Sequence, residues 1–369
     1  MRLTNRSSYE KNSREEIIHG DADLFRISRE ACVRIAYLVA SSDISGGQRV
    51  IFQQAEALAD LGCDVTLVCP EPQPDWFPLR KARWETAPFH RSKALARTDI
   101  RVATFWTTVA AAVADFSGPV FHLCQGYEAD FSFYTPKRRD IESAYSEATH
   151  KLAVSPHMAR RLAAVGYTPV TYVGQTFSPE EFPPDPMRRF DRFPPRVLLI
   201  GIFEADVKGI RETLEALAGL RRSGIMFHLH RISTWPISPE EAAILMPDAY
   251  RLRLTPSEMG EMYHASDLFI GPSHPEEGFG LPVLEALSSG LPAILSDTPA
   301  HRHIARDVAE YYPVGDAEAL AWMLSRLLAD GPRRARLSAM GPIEAVRFRT
   351  GDVADKLVTV FTKALLHGH

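Results

Sequence analysis

A glycine-rich loop followed directly by an apolar helix is the segment of this sequence best suited to bind an anion. Gly278 and Gly280 precede the helical pattern Leu281-Pro-Val-Leu-Glu-Ala-Leu-Ser288, in which Pro282 suits the first helical position. The free N–H groups of such a first turn, at the positive end of the helix dipole, suit a diphosphate or the oxygens of a sugar. Because glycine has no Cβ, the two glycines let a ligand approach the backbone closely.

Two glutamates flank this loop. Glu277 precedes the glycines, and Glu285 falls one turn into the helix with apolar residues on both sides. A carboxylate in such surroundings is expected to be half buried and to need partners, and ribose hydroxyls are good candidates. The alternative is a glutamate that stands near the helix N-terminus only because the dipole favours negative charge there. The residues by themselves leave both interpretations open.

Short apolar strands alternate with helical patterns over most of the chain, which indicates the α/β class with parallel, doubly wound sheets. The first strand is followed by a predicted loop with Gly46 and Gly47, and then by a helix that stops at Gly62. The first half has predicted strands at Val33–Ala40, Val65–Cys69, Arg101–Trp106, Val120–Cys124 and Lys151–Val154. The second half has them at Arg196–Ile200, Met226–His230, Leu268–Ile270 and Ala293–Leu295, with a helix over Gly209–Arg222.

Two domains are expected, because 369 residues exceed the ~250 to 300 beyond which one core usually splits. The proline-rich stretch from Pro179 to Pro195 cannot continue a helix or a central strand, and it predicts the linker. We therefore predict a polar extension at 1–32, domains at 33–190 and 191–350, and a last helix at 351–369. Two tandem sheets of this kind leave a cleft at the carboxyl ends of their strands, where open α/β sheets bind ligands.

A helix start is predicted at Thr255-Pro-Ser-Glu258. Thr255 is a good N-cap, proline suits the first helical position, and Glu258 can reach back to complete a capping box. The helix is expected to run to about Ala265.

The E-x7-E spacing from Glu277 to Glu285, with Gly-Phe-Gly-Leu-Pro inside it, resembles the donor-site motif of retaining GT-B glycosyltransferases of family 4. The flanking segments Met262–Ser273 and Ser289–Asp297 resemble the same family, and the resemblance extends over about residues 33 to 366. It implies two Rossmann-like domains with an interdomain cleft, and a last helix that crosses back to the first domain. It also implies that Glu277 lies near the donor sugar, and that Glu285 binds the ribose. The backbone of Gly278, Phe279, Gly280 and Leu281 would contact sugar hydroxyls and phosphate.

The resemblance assigns further site residues. Gly46 and Gly47 are similar to the family's glycine loop that contacts the donor diphosphate, although an ordinary turn would also explain them. Lys208 resembles the lysine that neutralises the leaving diphosphate. The family usually has an arginine where this chain has Ile202, so part of the phosphate clamp is missing or supplied from elsewhere; Arg211 is a candidate, or a surface residue.

In the first domain, Gln125 stands where many family members carry an active-site histidine, which places it with Glu277 and Lys208 as a catalytic candidate. The stretch Gln125–Glu128 resembles a variant found in some polysaccharide and rhamnose-transferring members, and it favours a deoxysugar such as rhamnose. His122, inside a strand, is expected to be a packed core histidine.

The family resemblance implies a reaction as well as a site. A sugar passes from a nucleoside-diphosphate sugar to a hydroxyl of a glycan, a lipid-linked or a small-molecule acceptor, with retention through an oxocarbenium-like ion pair. The nucleotide sugar is a substrate, so no cofactor is expected. No D-x-D follows a strand, and a metal-independent mechanism is predicted.

Charge and composition exclude other classes. A net charge of −4 without blocks of like charge argues against a nucleic-acid partner. The four cysteines form no C-x-x-C pair and are expected to be buried thiols in a reducing compartment. With no apolar stretch of ~18 residues and no signal peptide, a cytoplasmic protein is predicted. The basic clusters Lys137–Arg139 and Arg160–Arg161 leave open a peripheral contact with anionic lipid at the inner membrane face.

Two other functions fit the same residues. One is a GT-B enzyme of another reaction class, either a sugar-nucleotide epimerase or a phosphorylase. The other is a non-catalytic protein that binds sugar nucleotides, which Ile202 and Gln125 make more credible. The residues leave open the base, sugar, acceptor and oligomeric state.

Overall fold

The strands form two parallel sheets in a computed structural model that describes residues 33–147 and 149–367. The extension predicted at 1–32, with Cys32, lies outside the described residues. The first sheet contains β1 (Arg34–Leu38), β2 (Asp64–Cys69), β3 (Arg83–Thr86), β4 (Ile100–Ala103), β5 (Val120–Cys124), β6 (His150–Ala153) and β7 (Val170–Tyr172). The second contains β8 (Arg196–Ile200), β9 (His228–Ser233), β10 (Ala249–Leu252), β11 (Leu268–Gly271), β12 (Ala293–Ser296) and β13 (Glu310–Tyr312).

Both sheets are doubly wound, as predicted. Their strand orders are β3-β2-β1-β4-β5-β6-β7 and β10-β9-β8-β11-β12-β13, and every neighbouring pair is parallel. The direction of winding therefore reverses beside β1 in the first sheet and beside β8 in the second. We call the parts of the molecule built on these sheets the first half and the second half. Ligands of such folds bind at these reversal points.

Helices cover the faces of the sheets, which is why a central strand such as β5 is buried throughout and apolar except for His122. The helices are α1 (Gly46–Asp60), α2 (Trp106–Val113), α3 (Arg138–Ser146), α4 (Pro156–Val165), α5 (Ile210–Arg222), α6 (Pro239–Ile244), α7 (Pro256–Ala265), α8 (Leu281–Ser288), α9 (Pro299–Ala305), α10 (Ala317–Ala329), α11 (Gly331–Ala345) and α12 (Thr350–His367). None of the helices in the described part of the chain is long and apolar enough to cross a membrane.

The strands that the sequence patterns missed are the four outermost strands of the two sheets. β3, β7, β10 and β13 are three or four residues long and mostly exposed or half-buried. A strand with one open edge and little burial does not need a continuous apolar run, so it leaves no clear pattern in the sequence.

Three predicted boundaries were wrong. Gly46 and Gly47 are not loop residues, since Ser45 is the N-cap of α1 and its hydroxyl accepts a hydrogen bond from the Gln48 N–H. The strand predicted to reach Trp106 ends at Ala103, because the Thr108 hydroxyl accepts from the N–H groups that follow the strand and α2 begins there. The strand predicted at Met226–His230 runs instead over His228–Ser233, in register with β8.

The chain passes between the halves at two places, and the two crossings meet. The first crossing follows β7 and the second precedes α12. At Thr350 both the backbone N–H and the hydroxyl donate to the carbonyl of Phe177, each at 3.0 Å. The last helix then packs on the first half, where the rings of Phe361 and Phe121 are 4.7 Å apart. The domain boundaries proposed at 190/191 and 350/351 stay predictions.

The N-cap of α7 gives a direct test of one local signal. Thr255 and Glu258 form the predicted capping box, with the Thr255 N–H bonded to the Glu258 carboxylate at 2.7 Å. Thr255→Ala should lower the free energy of unfolding by about 1 kcal/mol, because it leaves a first-turn N–H without a side-chain acceptor. Urea denaturation measures the change, and Thr255→Ser, which keeps the hydroxyl, should remain close to wild type. Equal loss in both variants would rule out the cap as the cause.

Candidate active site

A cavity of about 410 Å³ lies between the two halves, where the carboxyl ends of the central strands face each other. Gly46 and Gln125 line it from the first half, after β1 and β5. Gly201 and Gly271 line it from the second half, at the ends of β8 and β11. The cavity is therefore at the reversal point of each sheet, where the sequence predicted a ligand site.

The predicted catalytic residues Lys208 and Glu277 form an ion pair in the wall of this cavity. The Lys208 ammonium is 2.5 Å from Oε2 of Glu277, and the Ser273 hydroxyl donates to the same oxygen at 3.2 Å. Lys208 ends a short 3-10 turn, and Gly209 after it has a φ of 61°. A Cβ on Gly209 would clash with the carbonyl of Pro272, so only glycine allows this approach of the two loops.

The surroundings of Glu277 stabilise its charged form. Burial raises the pKa of the Glu277 carboxyl, but the nearby ammonium of Lys208 outweighs it, and the net pKa lies below the ordinary value. Glu277 is therefore ionised at neutral pH. The site presents a carboxylate that can accept from sugar hydroxyls and an ammonium that can attract an anion.

Groups of the first half hold the loop that carries Glu277 and Gly278. Ser155, the N-cap of α4, donates its hydroxyl to the Gly278 carbonyl at 2.7 Å. In the same helix His157 donates from Nε2 to the Glu277 carbonyl at 2.9 Å. The backbone carbonyl of Gln125 lies so close to Gly278 that a Cβ on residue 278 would clash with it.

The predicted donor-binding residues from both halves meet at this contact. The side-chain amide of Gln125 donates to the Gly47 carbonyl at 3.0 Å, so Gln125 touches the start of α1 and the motif loop together. Gly46, Gly47, Phe279, Gly280 and Leu281 all line the cavity. Gly278 does not; it is enclosed between the halves.

The N-terminus of α8 lies at the cavity, which Gly280, Leu281 and Pro282 line. Pro282 has no N–H and the Val283 N–H is bonded to the Gly280 carbonyl, so the Leu281 N–H is the free donor of this turn. Gly280 is the N-cap with a φ of 102°, a conformation that favours glycine, and none of the described side chains caps this end. Phe279 is buried, and its ring lies 5.5 Å from that of Phe348, which fixes the approach of the loop. An anion bound here would take the place of a cap.

Glu285 is more deeply buried than the sequence predicted, and it already has protein partners. Its side chain is 5% exposed, and one carboxylate oxygen is ion-paired with Nη2 of Arg49 from α1. The other oxygen accepts from the hydroxyl of Tyr263 at 2.6 Å. The favourable interaction with the helix dipole therefore does not by itself explain why a glutamate stands at position 285. Arg49 and Tyr263 were missed because a single arginine or tyrosine in an amphipathic helix carries no pattern of its own.

Two residues singled out in the sequence lie outside the cavity lining. Arg211 is exposed and pairs with Glu240 at 2.6 Å. It does not line the cavity, so it does not replace the arginine that the family usually has at the position of Ile202. Glu128 is buried under the loop and accepts from Tyr145 at 2.8 Å, and burial raises its pKa to about 7. Arg49 and Arg253, which sequence reasoning passed over, do line the cavity.

His122 is a buried core residue, as predicted, and burial lowers its pKa to about 3. Within residues 33–147 and 149–367, no group of three or more His, Cys, Asp or Glu side chains could hold a metal ion. Metal independence stays a prediction.

Sequence comparison associates the second half with sugar transfer. Residues 251–342, from β10 through α8 into α11, match the family described as Glycosyl transferases group 1. A phosphatidyl-myo-inositol mannosyltransferase of Mycobacterium leprae is 24% identical over 184 residues, which cover 48% of this chain and 49% of that protein. A D-inositol 3-phosphate glycosyltransferase of Xylanimonas cellulosilytica is 32% identical over 126 residues, 34% of this chain and 29% of that protein. The matches thus span about half or less of these relatives.

Structural comparison identifies the fold. Sucrose-phosphate synthase from Thermosynechococcus elongatus superposes with a TM-score of 0.69 at 16% identity, over 89% of this chain and 98% of that one. Anabaena HepE in complex with UDP-glucose gives a TM-score of 0.69 at 15% identity, over 89% and 99% of the two chains. The two tandem Rossmann-like domains and their cleft are the GT-B fold, as predicted.

Because Gly278 lies against Gln125, we expect a methyl group added at residue 278 to lower the stability of the protein strongly. Gly278→Ala should destabilise the protein by about 1–3 kcal/mol, because the new Cβ would overlap a backbone carbonyl that cannot rotate away. Gly260→Ala is the control, since its Cβ would lie 3.8 Å from the nearest atom and alanine favours the helix α7. Both free energies of unfolding come from urea denaturation. Wild-type stability in Gly278→Ala would contradict the contact.

Proposed function

We propose that this chain is a glycosyltransferase that transfers a sugar from a nucleoside-diphosphate sugar to a hydroxyl acceptor, with retention and without a metal ion. The observation that carries the proposal is the interdomain cavity, which combines the Lys208–Glu277 pair with the free N-terminus of α8. The match of residues 251–342 to Glycosyl transferases group 1 supports it. So do the activities of the two relatives and the UDP-glucose bound by HepE.

Backbone N–H groups and the positive charge of Lys208 bind the diphosphate of the donor. Its oxygens accept from the Leu281 N–H at the start of α8 and from the glycines that open α1. Lys208, which also lines the cavity, neutralises the charge that grows on the diphosphate as the glycosidic bond breaks. Glu277 accepts from a hydroxyl of the donor sugar, and its ion pair with Lys208 keeps both groups oriented.

The acceptor hydroxyl loses its proton in the reaction, and the Gln125 side chain cannot act as the base that takes it. A side-chain amide has no titratable group near neutral pH, and the Gln125 amide already donates to Gly47. As the family resemblance implies, the acceptor hydroxyl is proposed to attack from the face that the diphosphate leaves and to give its proton to a donor phosphate oxygen. Attack on that face retains the anomeric configuration. Gln125 holds the start of α1 against the motif loop during the step.

A donor screen followed by product analysis tests the function. Thermal shift with UDP-, GDP-, ADP- and dTDP-sugars, including rhamnose and the common hexoses, should identify the donor, because a ligand of the native state raises Tm. The donor is then incubated alone, with glycan acceptors and with phosphate, each with and without EDTA. We expect a glycoside only when acceptor is present, at a rate that EDTA leaves unchanged.

Other outcomes of the screen would overturn the proposal. Conversion of the donor alone would identify an epimerase, and release of sugar phosphate would identify a phosphorylase. Tight binding without turnover on any acceptor would mark a non-catalytic protein. Abolition by EDTA with rescue by Mn²⁺ or Mg²⁺ would overturn only the metal-free mechanism.

Lys208→Ala should lower kcat by on the order of 10² to 10³-fold, because the interaction grows in the transition state. Arg211→Ala, which removes a nearby cation outside the cavity lining, should leave kcat and KM close to wild type. Steady-state kinetics with the identified donor and acceptor give both constants. If kcat of Lys208→Ala stays within threefold while KM for the donor rises, Lys208 contributes only to ground-state binding.

A further inference from the structure

Glu128 is a buried carboxylate that no cation neutralises. It lies in the loop after β5, and among the described residues no lysine, arginine or histidine pairs with it. Its partner is the hydroxyl of Tyr145 from α3, at 2.8 Å. Burial raises the pKa of Glu128 to about 7, so both charge states are populated at neutral pH. A group held in this way costs stability, because its charged form is buried without a counter-ion.

The Tyr145 hydroxyl has two acceptors within reach and one proton to donate. Its oxygen lies 2.8 Å from the Glu128 carboxylate and 2.9 Å from the backbone carbonyl of Gly126. The ring of Tyr145 is buried, and its centroid lies 4.5 Å from that of His122 and 4.9 Å from that of Tyr127. Because this packing keeps the hydroxyl in place, the charge of Glu128 decides which acceptor receives the proton.

The neutral form of Glu128 satisfies all three groups. A protonated carboxyl donates its own proton to the Tyr145 oxygen, and the tyrosine hydroxyl then donates to the Gly126 carbonyl. The ionised form breaks this chain of hydrogen bonds, because a carboxylate is a stronger acceptor than a neutral carbonyl and takes the tyrosine proton. Gly126 is buried, and no other donor of the described residues bonds to its carbonyl, so that oxygen is then left without a partner.

The Gly126 carbonyl belongs to the backbone against which the motif loop rests. A Cβ on Gly278 would lie 1.7 Å from the carbonyl oxygen of Gln125 and 3.2 Å from the Cα of Gly126. A Cβ on Gly126 would lie 3.0 Å from the ring of Phe131, so this stretch of backbone has little free space. A turn of the peptide unit after Gly126 therefore shifts the surface that supports the loop with Glu277.

We propose that Glu128 is a positioning residue for sugar transfer. In its protonated form it directs the Tyr145 hydroxyl to the Gly126 carbonyl, which holds Gln125 in place against the motif loop. The proposal rests on the proposed function, because it concerns the rate of that reaction. Glu128 does not line the cavity, so it acts only through its neighbours. Since ionisation breaks the chain of hydrogen bonds, sugar transfer should slow as the pH rises through about 7.

The other titratable groups around this carboxylate keep one charge state near neutral pH. Tyr145 of α3, Cys124 of β5 and Tyr134 face it, and burial raises the pKa of all three, so each stays neutral. His122 stays neutral as well, because burial lowers its pKa to about 3. Burial lowers the pKa of Lys151 of β6, but two backbone carbonyls accept from its ammonium and hold it charged. The titration of the carboxylate is therefore the charge change of this cluster between about pH 6 and 8.

The test is the pH profile of sugar transfer in the wild type and in Glu128→Gln. Glutamine has the shape of glutamate and stays neutral at every pH, so its amide N–H replaces the carboxyl proton as the donor to Tyr145. Steady-state kinetics with the identified donor and acceptor give kcat/KM at each pH. The ratio of Glu128→Gln to wild type should be near one below the titration and should rise at least about threefold above it, as expected for the loss of one hydrogen bond. Because a ratio is compared, the pH dependence of the substrates cancels.

Two further variants separate this role from packing. Tyr145→Phe removes the hydroxyl but keeps the ring, so kcat/KM should be low throughout, with no step near neutral pH; if it does not fold, Glu128→Gln decides alone. Glu142→Gln is the matched control and should follow the wild-type profile. It neutralises another carboxylate of α3, one whose side chain makes no hydrogen bond among the described residues. Circular dichroism at both ends of the pH range confirms that each variant is folded.

The outcomes distinguish this proposal from the proposed function. Parallel profiles of the wild type and Glu128→Gln over the whole range would show that the titration does not affect transfer, and the positioning role would be wrong. A ratio that falls with rising pH would assign the faster reaction to the ionised carboxylate and would equally overturn the proposal. In both cases the wild type still transfers sugar, so the proposed function stands. If the wild type transfers no sugar at any pH, the proposed function fails and the role of Glu128 fails with it.

Discussion

The close contact between the Gln125 carbonyl and Gly278 is the constraint on which the site depends. Gln125 belongs to the first sheet and Gly278 to the loop before α8, so the motif loop has its shape only while the halves touch. The bonds from Ser155 and His157 to the carbonyls of the same loop add to this dependence. The N-terminus of α8 and Glu277 are therefore positioned by the other half of the molecule as much as by their own.

The charged side chains of the cavity also come from both halves. The Lys208–Glu277 pair lies within the second half, and the Arg49–Glu285 pair joins the halves. Each carboxylate of the E-x7-E motif is thus paired with one cation, and Arg253 is a third cation in the lining, although Ile202 stands where the family usually has an arginine. The cavity lining thus has one more cation than carboxylates, and it presents donors and acceptors that suit a ligand with both hydroxyls and phosphate.

The sequence predicted the central elements well because burial on both faces forces long apolar runs, as in β5 and β8. It missed the four edge strands, where little burial leaves no pattern. The motif residues could be recognised because they are close in the chain. Arg49 could not, because it lies 236 positions from Glu285 and only the folded arrangement of both halves makes them partners.

The hydrogen bonds from Thr350 to the carbonyl of Phe177 join the two chain crossings at one place. The covalent chain connects the two halves only in this region, since the other contacts between them are non-covalent. If those contacts open, the displacement is smallest beside Phe177 and grows with distance from it. Geometry of this kind turns a small change of angle at the crossings into a large change in the width of the cleft.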